Sequence, residues 1–248
     1  MNAAEAWFRS TELDRTTFPE FRARIRASDE ESATVEPRSY PGYPRFALPR
    51  PRPRWRPALD HALSARRCCR SLTVDLPSAR QLGRLLFFGH GLHATGGRGP
   101  VPSAGGLQAL ELYVSILQEG WLSAGAYHYD RPGHFLSQIS PHADRAVWRS
   151  HVPSLDQVDG GGLLWILVGD AARVAARYGE RAHRFLLLEA GHLMQNLCLL
   201  SVSLGLCTVP LGGFFERAIG RELALPATDG VLYVGVCGKP TGPLYLSG

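Results

Sequence analysis

The 248-residue chain is poor in cysteine, and its five, Cys68, Cys69, Cys198, Cys207 and Cys237, are odd in number with no CxxC among them. That excludes a disulfide framework and a zinc site and predicts a reducing compartment. The N-terminus, MNAAEAWFRSTELDR, lacks the apolar core of a signal peptide. An unbroken apolar run of about 20 residues, the length of a membrane span, is missing too. The most apolar region, 185 to 215, is interrupted by Glu189, His192, Gln195 and Asn196, a set that a span rarely tolerates. No internal repeat occurs, and no phosphate loop of the GxGxxG or GxxxxGK[ST] kind. The expectation is a soluble, cytoplasmic protein without membrane association.

An apolar fraction of 45% and a charged fraction of 20% are those of an ordinary globular chain long enough to bury a large core. The net charge of +5 and pI near 9.1 suit an anionic ligand such as a phosphate. Nucleic acid is not expected, because the basic excess sits in one N-terminal stretch without interleaved base-stacking aromatics. That stretch, PRSYPGYPRFALPRPRPRWRP, is dense in proline and arginine, so it is extended and forms neither an interior strand nor a helix. Residues 1–58 read as a leader or arm, and 59–248 as the working domain.

Within that domain a short helix is expected near Pro57–Arg66, and a second from Pro77–Ser78 to about Phe88 with Ser78 as its cap. Strands are expected at Leu110–Leu117 and Leu163–Val168. A hairpin should join Ala124–Asp130 to His134–Ile139, a short strand should cover Leu206–Pro210, and a last strand Val231–Val236. Ala143–Ser150 and Phe214–Arg221 read as short helices, and Asp170 begins the helical half. Strands and helices mix without βαβ alternation, which predicts α+β. Arg177 to Gly205 reads as one long helix, apolar on almost every side and therefore buried. Its Glu189, His192, Gln195 and Asn196 then need partners, since buried polar groups cost free energy unless hydrogen-bonded. Glu189 and His192 have the Glu-x-x-His spacing of di-iron bundles, but no second copy exists, so no metal is expected and a buried Glu–His pair locking the helix is preferred.

Four other motifs bear on chemistry. Arg66-Arg67-Cys68-Cys69-Arg70 puts three guanidiniums in five residues, a donor set that fits phosphate. Pro102-Ser103-Ala104-Gly105-Gly106 offers small residues that let backbone approach a flat ligand. Leu211-Gly212-Gly213 offers amides before a helix, suited to electron-rich atoms. Gly238-Lys239-Pro240 adds a cation.

Taken in order, the arginine pair, PSAGG before a strand, a Tyr-Gly followed by EAGHLMQN, a glycine pair and GKP resemble the flavin-dependent nitroreductase superfamily, and more closely its SagB-type (McbC-like) dehydrogenases. The resemblance covers roughly residues 60 to 242. It implies an α+β nitroreductase-like fold, a central, mostly antiparallel sheet flanked by helices, in an intertwined homodimer with FMN in the interface. By position it implies that Arg66, Cys68 and Arg70 hold the FMN phosphate and ribityl chain, that Ser103, Gly105 and Gly106 lie beside the ring, and that Gln195 and Asn196 line the site. Gly212 and Gly213 would offer amides near N5, and Lys239 would reach the phosphate. Such proteins oxidise azolines, peptide-derived or carrier-bound, in natural-product assembly, with hydride passing to the flavin and dioxygen reoxidising it. They usually carry a Lys-Tyr pair ahead of the central helix as acid/base, and here the pair is Arg177-Tyr178. Arginine stays protonated, so Arg177 is a poor base that could hold an anionic substrate or stabilise a phenolate, and Tyr178 is the remaining catalytic candidate. Cys68 stands where serine is usual. Two other readings stay open: an NAD(P)H-dependent nitro- or quinone-type reductase, and a non-catalytic partner subunit of a synthetase complex.

Overall fold

The computed structural model describes residues 2–30, 37–51, 59–92 and 98–242. The first residues of the helix expected from Pro57, the Pro/Arg run over 52–58 and the centre of the glycine-rich loop over 93–97 lie outside them. In chain order the elements are α1 (Ala3–Ser10), α2 (Phe18–Glu30), β1 (Arg45–Ala47), α3 (Leu59–Ala65), α4 (Ala79–His90), β2 (Leu110–Ile116), β3 (Gly125–Asp130), β4 (Phe135–Ser140), α5 (Arg145–His151), β5 (Leu163–Asp170), α6 (Ala171–Tyr178), α7 (Ala182–Ser203), β6 (Cys207–Leu211), α8 (Glu216–Glu222) and β7 (Asp229–Gly238).

The seven strands form one sheet in the order β1-β4-β3-β2-β5-β7-β6, and each neighbouring pair is antiparallel. The fold is α+β. The central strands are buried on both faces, which explains the unbroken apolar run of β5. Its Leu163, Trp165 and Leu167 join one cluster with Leu82, Leu85 and Leu86 of α4 and Leu193, Met194 and Leu197 of α7. Leu164, Ile166 and Val168 face the other way, into a cluster with Trp148 of α5 and Ile219 of α8. The two-residue period of a strand thus divides the core into two layers, α4, α6 and α7 against one face and α5 and α8 against the other. The prolines of the N-terminal stretch flank β1, a three-residue edge strand paired with β4. An edge is where a strand tolerates missing amide donors.

Two sequence expectations are corrected. Arg177–Gly205 is not one helix. α6 ends at Tyr178, whose φ of −116° and ψ of 0° leave the helical region, and Gly179 takes φ +55° before a turn leads into α7. A right-handed helix cannot continue through that backbone, and glycine adopts it without a Cβ penalty. Nor is α7 buried all round. Leu187 is 52% exposed and Leu188 61%, and Gly191, His192 and Gln195 are exposed along the same stripe. Residues from Ala171 to Ser203 have the length and apolarity of a membrane span. The break at Gly179 and the packing of α7 on the sheet make this a core helix.

Residues 2–30 also carry more structure than their composition signals. Asn2 and Glu5 form a capping box that starts α1, a reciprocal arrangement that satisfies two end amides. Asp14 accepts hydrogen bonds from the amides and hydroxyls of Thr16 and Thr17 at the entry to α2, which pull its carboxyl down to about 2. The two helices lie against α6 and α7. Arg184 Nε donates to Thr11 Oγ1 at 2.6 Å, and its guanidinium stacks 4.4 Å from the Phe8 ring.

Candidate functional site

The loop from Ser103 to Gln108 connects the glycine-rich segment to β2 and is held from three sides. Ser103 Oγ accepts from the Gln108 amide at 2.7 Å. Gln108 Oε1 accepts from Arg131 at 2.5 Å, and the Gln108 carbonyl accepts from Arg173 at 3.3 Å. These bonds hold Gln108 at φ +48°, a left-handed conformation costly for a residue with a side chain. From below, the Glu189 carboxyl faces the Ser103 hydroxyl and the Ala104 amide, two donors that act to lower its pKa. The Glu189 side chain is buried. Burial pushes it up to about 7, against the Ser103 and Ala104 hydrogen bonds and the nearby charges of Arg131 and Arg173, which act to lower it.

This corrects the expected role of the polar residues of α7. Glu189 is not paired with His192: although the two are three residues apart and so adjacent on the helix, the Glu189 side chain turns inward to the PSAGG loop, while His192 and Gln195 are exposed. Asn196 is half-buried and lines a groove with Leu59, Arg84, Phe88 and Leu200. Sequence reading noticed Glu189 but not its partner. The only signal was a buried acid with no cation at helical spacing.

Above the loop stand Tyr178 and Arg177. Gly105 has φ +60°, and a Cβ built on it would lie 2.6 Å from Tyr178 Oη, 3.1 Å from Arg177 Nε and 3.2 Å from Arg177 Cζ. The phenol oxygen and the guanidinium therefore converge on one point of the loop. The Tyr178 ring is fixed by Phe185 at 4.7 Å and Phe21 of α2 at 6.1 Å. We expect Gly105→Ala to lose about 1–2 kcal/mol from its left-handed backbone alone, and to displace Tyr178 as well. Chemical denaturation together with the turnover of the variant checks both.

A second group of expected residues lies elsewhere. Arg66, Cys68 and Arg70 follow α3. Their segment is pinned by the Cys69 amide donating to Cys207 Sγ at 3.2 Å and Cys207 Sγ donating to the Arg67 carbonyl at 3.3 Å. The Thr73 amide donates to the Lys239 carbonyl at 2.7 Å, and Leu72 bridges Pro240, which sets Lys239 alongside the same segment. Arg66 is partly exposed and Arg70 and Lys239 are exposed. None of the ion pairs among the described residues involves these three cations. Gly212 and Gly213 sit past the far end of β6 from Cys207, about 16 Å along an extended strand. Both are exposed, and the Gly213 carbonyl accepts from Ser154 Oγ at 2.8 Å.

The structure thus brings the expected residues into two groups rather than one. Ser103, Gly105, Gly106, Arg177 and Tyr178 gather over the N-terminal half of α7, around Glu189. Arg66, Cys68, Arg70 and Lys239 gather near its C-terminal half, where Cys198 feels the charge of Arg66. Nine residues of helix separate Glu189 from Cys198, about 13 Å at 1.5 Å per residue.

Comparison with known proteins places this architecture. The nitroreductase family model matches residues 63–239. A Methanocaldococcus jannaschii protein, MJ1384, named as a candidate nitroreductase, is 31% identical over 168 residues, covering 66% of this chain and 83% of that protein. Among solved structures, a candidate nitroreductase of Ralstonia eutropha JMP134 superposes with a TM-score of 0.71 at 20% identity, over 86% of this chain and 97% of that one. A chain of the Escherichia coli microcin synthetase McbBCD complex, with truncated pro-MccB17 bound, superposes with a TM-score of 0.62 at 18% identity, over 90% and 87%. At those identities the structural likenesses speak for the fold, whereas the family match and the archaeal relative speak for descent. The chain belongs to the nitroreductase family, whose members are oxidoreductases that generally depend on flavin.

Proposed function

We propose that two copies of this chain form a homodimer that binds FMN and dehydrogenates an azoline-like or other heterocyclic intermediate, peptidyl or carrier-bound, in natural-product assembly in the cytoplasm. The observation that carries the proposal is the split of the site into two halves on α7. One half has cations suited to a phosphate, and the other has a phenol and a guanidinium over a small-residue loop. Leu187, Gly191 and Gln195, with Leu188 and His192, form one exposed face between the halves, because residues four apart share a helix side. A second copy packed on that face sets the PSAGG loop of one chain against the arginines of the other, and buries the two leucines that a lone chain leaves in water.

The residues present fit FMN. Arg66, Arg70 and Lys239 supply a donor set for its phosphate, and exposed backbone at Gly212 and Gly213 lies one strand-length away, where a ring at the far end of an anionic tail would reach. Cys68 replaces the usual serine with a weaker donor. The chemistry supplied by bound FMN is hydride acceptance at N5, with dioxygen as terminal oxidant. The protein's part is proton handling and placement. Tyr178 Oη is the group positioned to take the substrate proton: as a phenolate, its own proton passed to solvent, it would be returned to the phenol by that transfer, and the Arg177 guanidinium beside it would favour the anion. Support for the SagB-type reading is this pair, at the position where that group carries Lys-Tyr.

A second reading, an NAD(P)H-dependent nitro- or quinone-type reductase, is favoured by the name of the archaeal relative. Anaerobic mixing of the yellow protein with NADPH separates the two. We expect the 450 nm flavin band to persist, while rapid bleaching would establish the reductase. A protein that stays colourless in FMN would instead support the non-catalytic partner subunit.

A further inference from the structure

The N-terminal helix α2 reaches the candidate catalytic residue, and no family motif accounts for what it brings. Phe21 stacks 6.1 Å from the Tyr178 ring, which with Phe185 makes three aromatic rings in contact. Around them stand three guanidiniums. Arg24 lies over Gly179, its Nη1 2.9 Å from where a Cβ of that glycine would be. Arg177 is 5.6 Å from the Tyr178 ring, and Arg181 is 5.9 Å from the Phe21 ring and 5.8 Å from the Phe185 ring. Arg181 spends Nη1 on the Thr11 carbonyl, but its Nε is buried with no hydrogen-bond partner among the described residues. None of the ion pairs among the described residues involves Arg24 or Arg181.

The three rings are tilted against one another by 33° and 55°, and an aromatic cluster bordered by arginines, one holding a buried unmatched donor, suits an aromatic ligand carrying an anionic group. Guanidinium presents a fork of donors that fits a carboxylate, and a buried donor left unpaired costs free energy that such a ligand would recover.

Resting on the reading that substrate is processed beside Tyr178, we propose that α2 and the turn at Gly179–Arg181 form a recognition site for an aromatic or heteroaromatic acid. Phe21, Arg24 and Arg181 are its specificity-determining residues. Of the two substrate forms proposed above, this site fits a peptidyl one whose heterocycle ends in a free C-terminal carboxylate, because an interior amide or a carrier thioester lacks that anion.

The test is binding of 2-naphthoate and its neutral isostere 2-naphthamide, read by the anisotropy of the probe's own fluorescence, to the full chain with and without added FMN. We expect naphthoate to bind at least about tenfold tighter, a difference of one charge-assisted contact, and to weaken between 50 and 300 mM salt while naphthamide does not. Arg24→Gln should bring the two probes within about threefold of each other. Arg22→Gln removes the same charge two residues away, on another side of α2, and should leave the ratio unchanged. Equal binding of the two probes, or an equal effect of Arg22→Gln and Arg24→Gln, overturns the proposal. Because the titration needs no flavin, a protein that never binds FMN but prefers naphthoate sinks the flavin reading and leaves this site standing. A yellow protein indifferent to the carboxylate does the reverse.

Discussion

Tyr178→Phe is expected to leave the protein folded and yellow while lowering turnover of a 2-aryl-thiazoline probe by about a thousandfold, the usual weight of a general acid or base. The substitution removes one oxygen and keeps the ring, so the contacts with Phe185 and Phe21 survive. The loss should fall on kcat rather than KM, because a proton acceptor acts in the transition state and binds the ground state little. Arg177 makes a companion test. Arg177→Gln should cost activity by removing the charge beside the phenol oxygen, whereas Arg177→Lys restores the charge and introduces a group that can lose a proton. Lysine at 177 should therefore retain turnover and add an ionisation to the pH–rate profile that the native protein lacks. A loss below threefold in Tyr178→Phe would remove the tyrosine from the chemistry.

The second large effect concerns stability and its pH dependence. Glu189 has an ordinary value near 4.5 and is pushed up to about 7 in the fold, chiefly by burial. Between those values the unfolded chain has ionised and the folded chain has not. Folding then holds a proton that the unfolded state has released, so the contribution of this group falls as pH rises and levels off above 7. At about 1.4 kcal/mol per unit, the full change is roughly 3 kcal/mol. Glu189→Gln keeps the shape and cannot ionise. The stability of the native protein minus that of the variant should fall by about that amount from pH 4.5 to 7, as measured by urea unfolding at each pH. A difference that stays flat across this window contradicts the assignment. The charged groups facing the carboxyl are Arg131 and Arg173, both cations that act to lower it. A shift smaller than expected would mean that their attraction outweighs burial.

The regular elements were legible because their periods are local. β5 was visible as an unbroken apolar run, the β3–β4 hairpin from its Arg-Pro-Gly turn, and α4 from Ser78, which forms the expected cap with Gln81. The break at Gly179 was not visible, since one glycine in an apolar stretch is compatible with a helix until a neighbour such as Arg24 occupies the space beside it. The helices α1 and α2 were hidden by the proline and arginine content of the segment that follows them. At the site, the motifs named the right neighbourhood around Gly105, but the partner of Glu189 lies 86 residues away in sequence, on a loop that no periodicity ties to α7. The outward face of the same helix was misread for a related reason. Leu187 and Leu188 are as apolar as core leucines, and nothing in a single sequence tells a leucine that meets its own sheet from one left exposed on the outer face of the helix.

Sedimentation equilibrium of the purified protein, monitored at both 280 and 450 nm, tests the central claim most directly. The account predicts that flavin absorbance sediments with the protein at twice the 27.1 kDa chain mass, and that Leu188→Glu on the exposed face of α7 releases colour and dimer together. Protein at the mass of one chain, with the 450 nm signal absent or left in free solution, would contradict it.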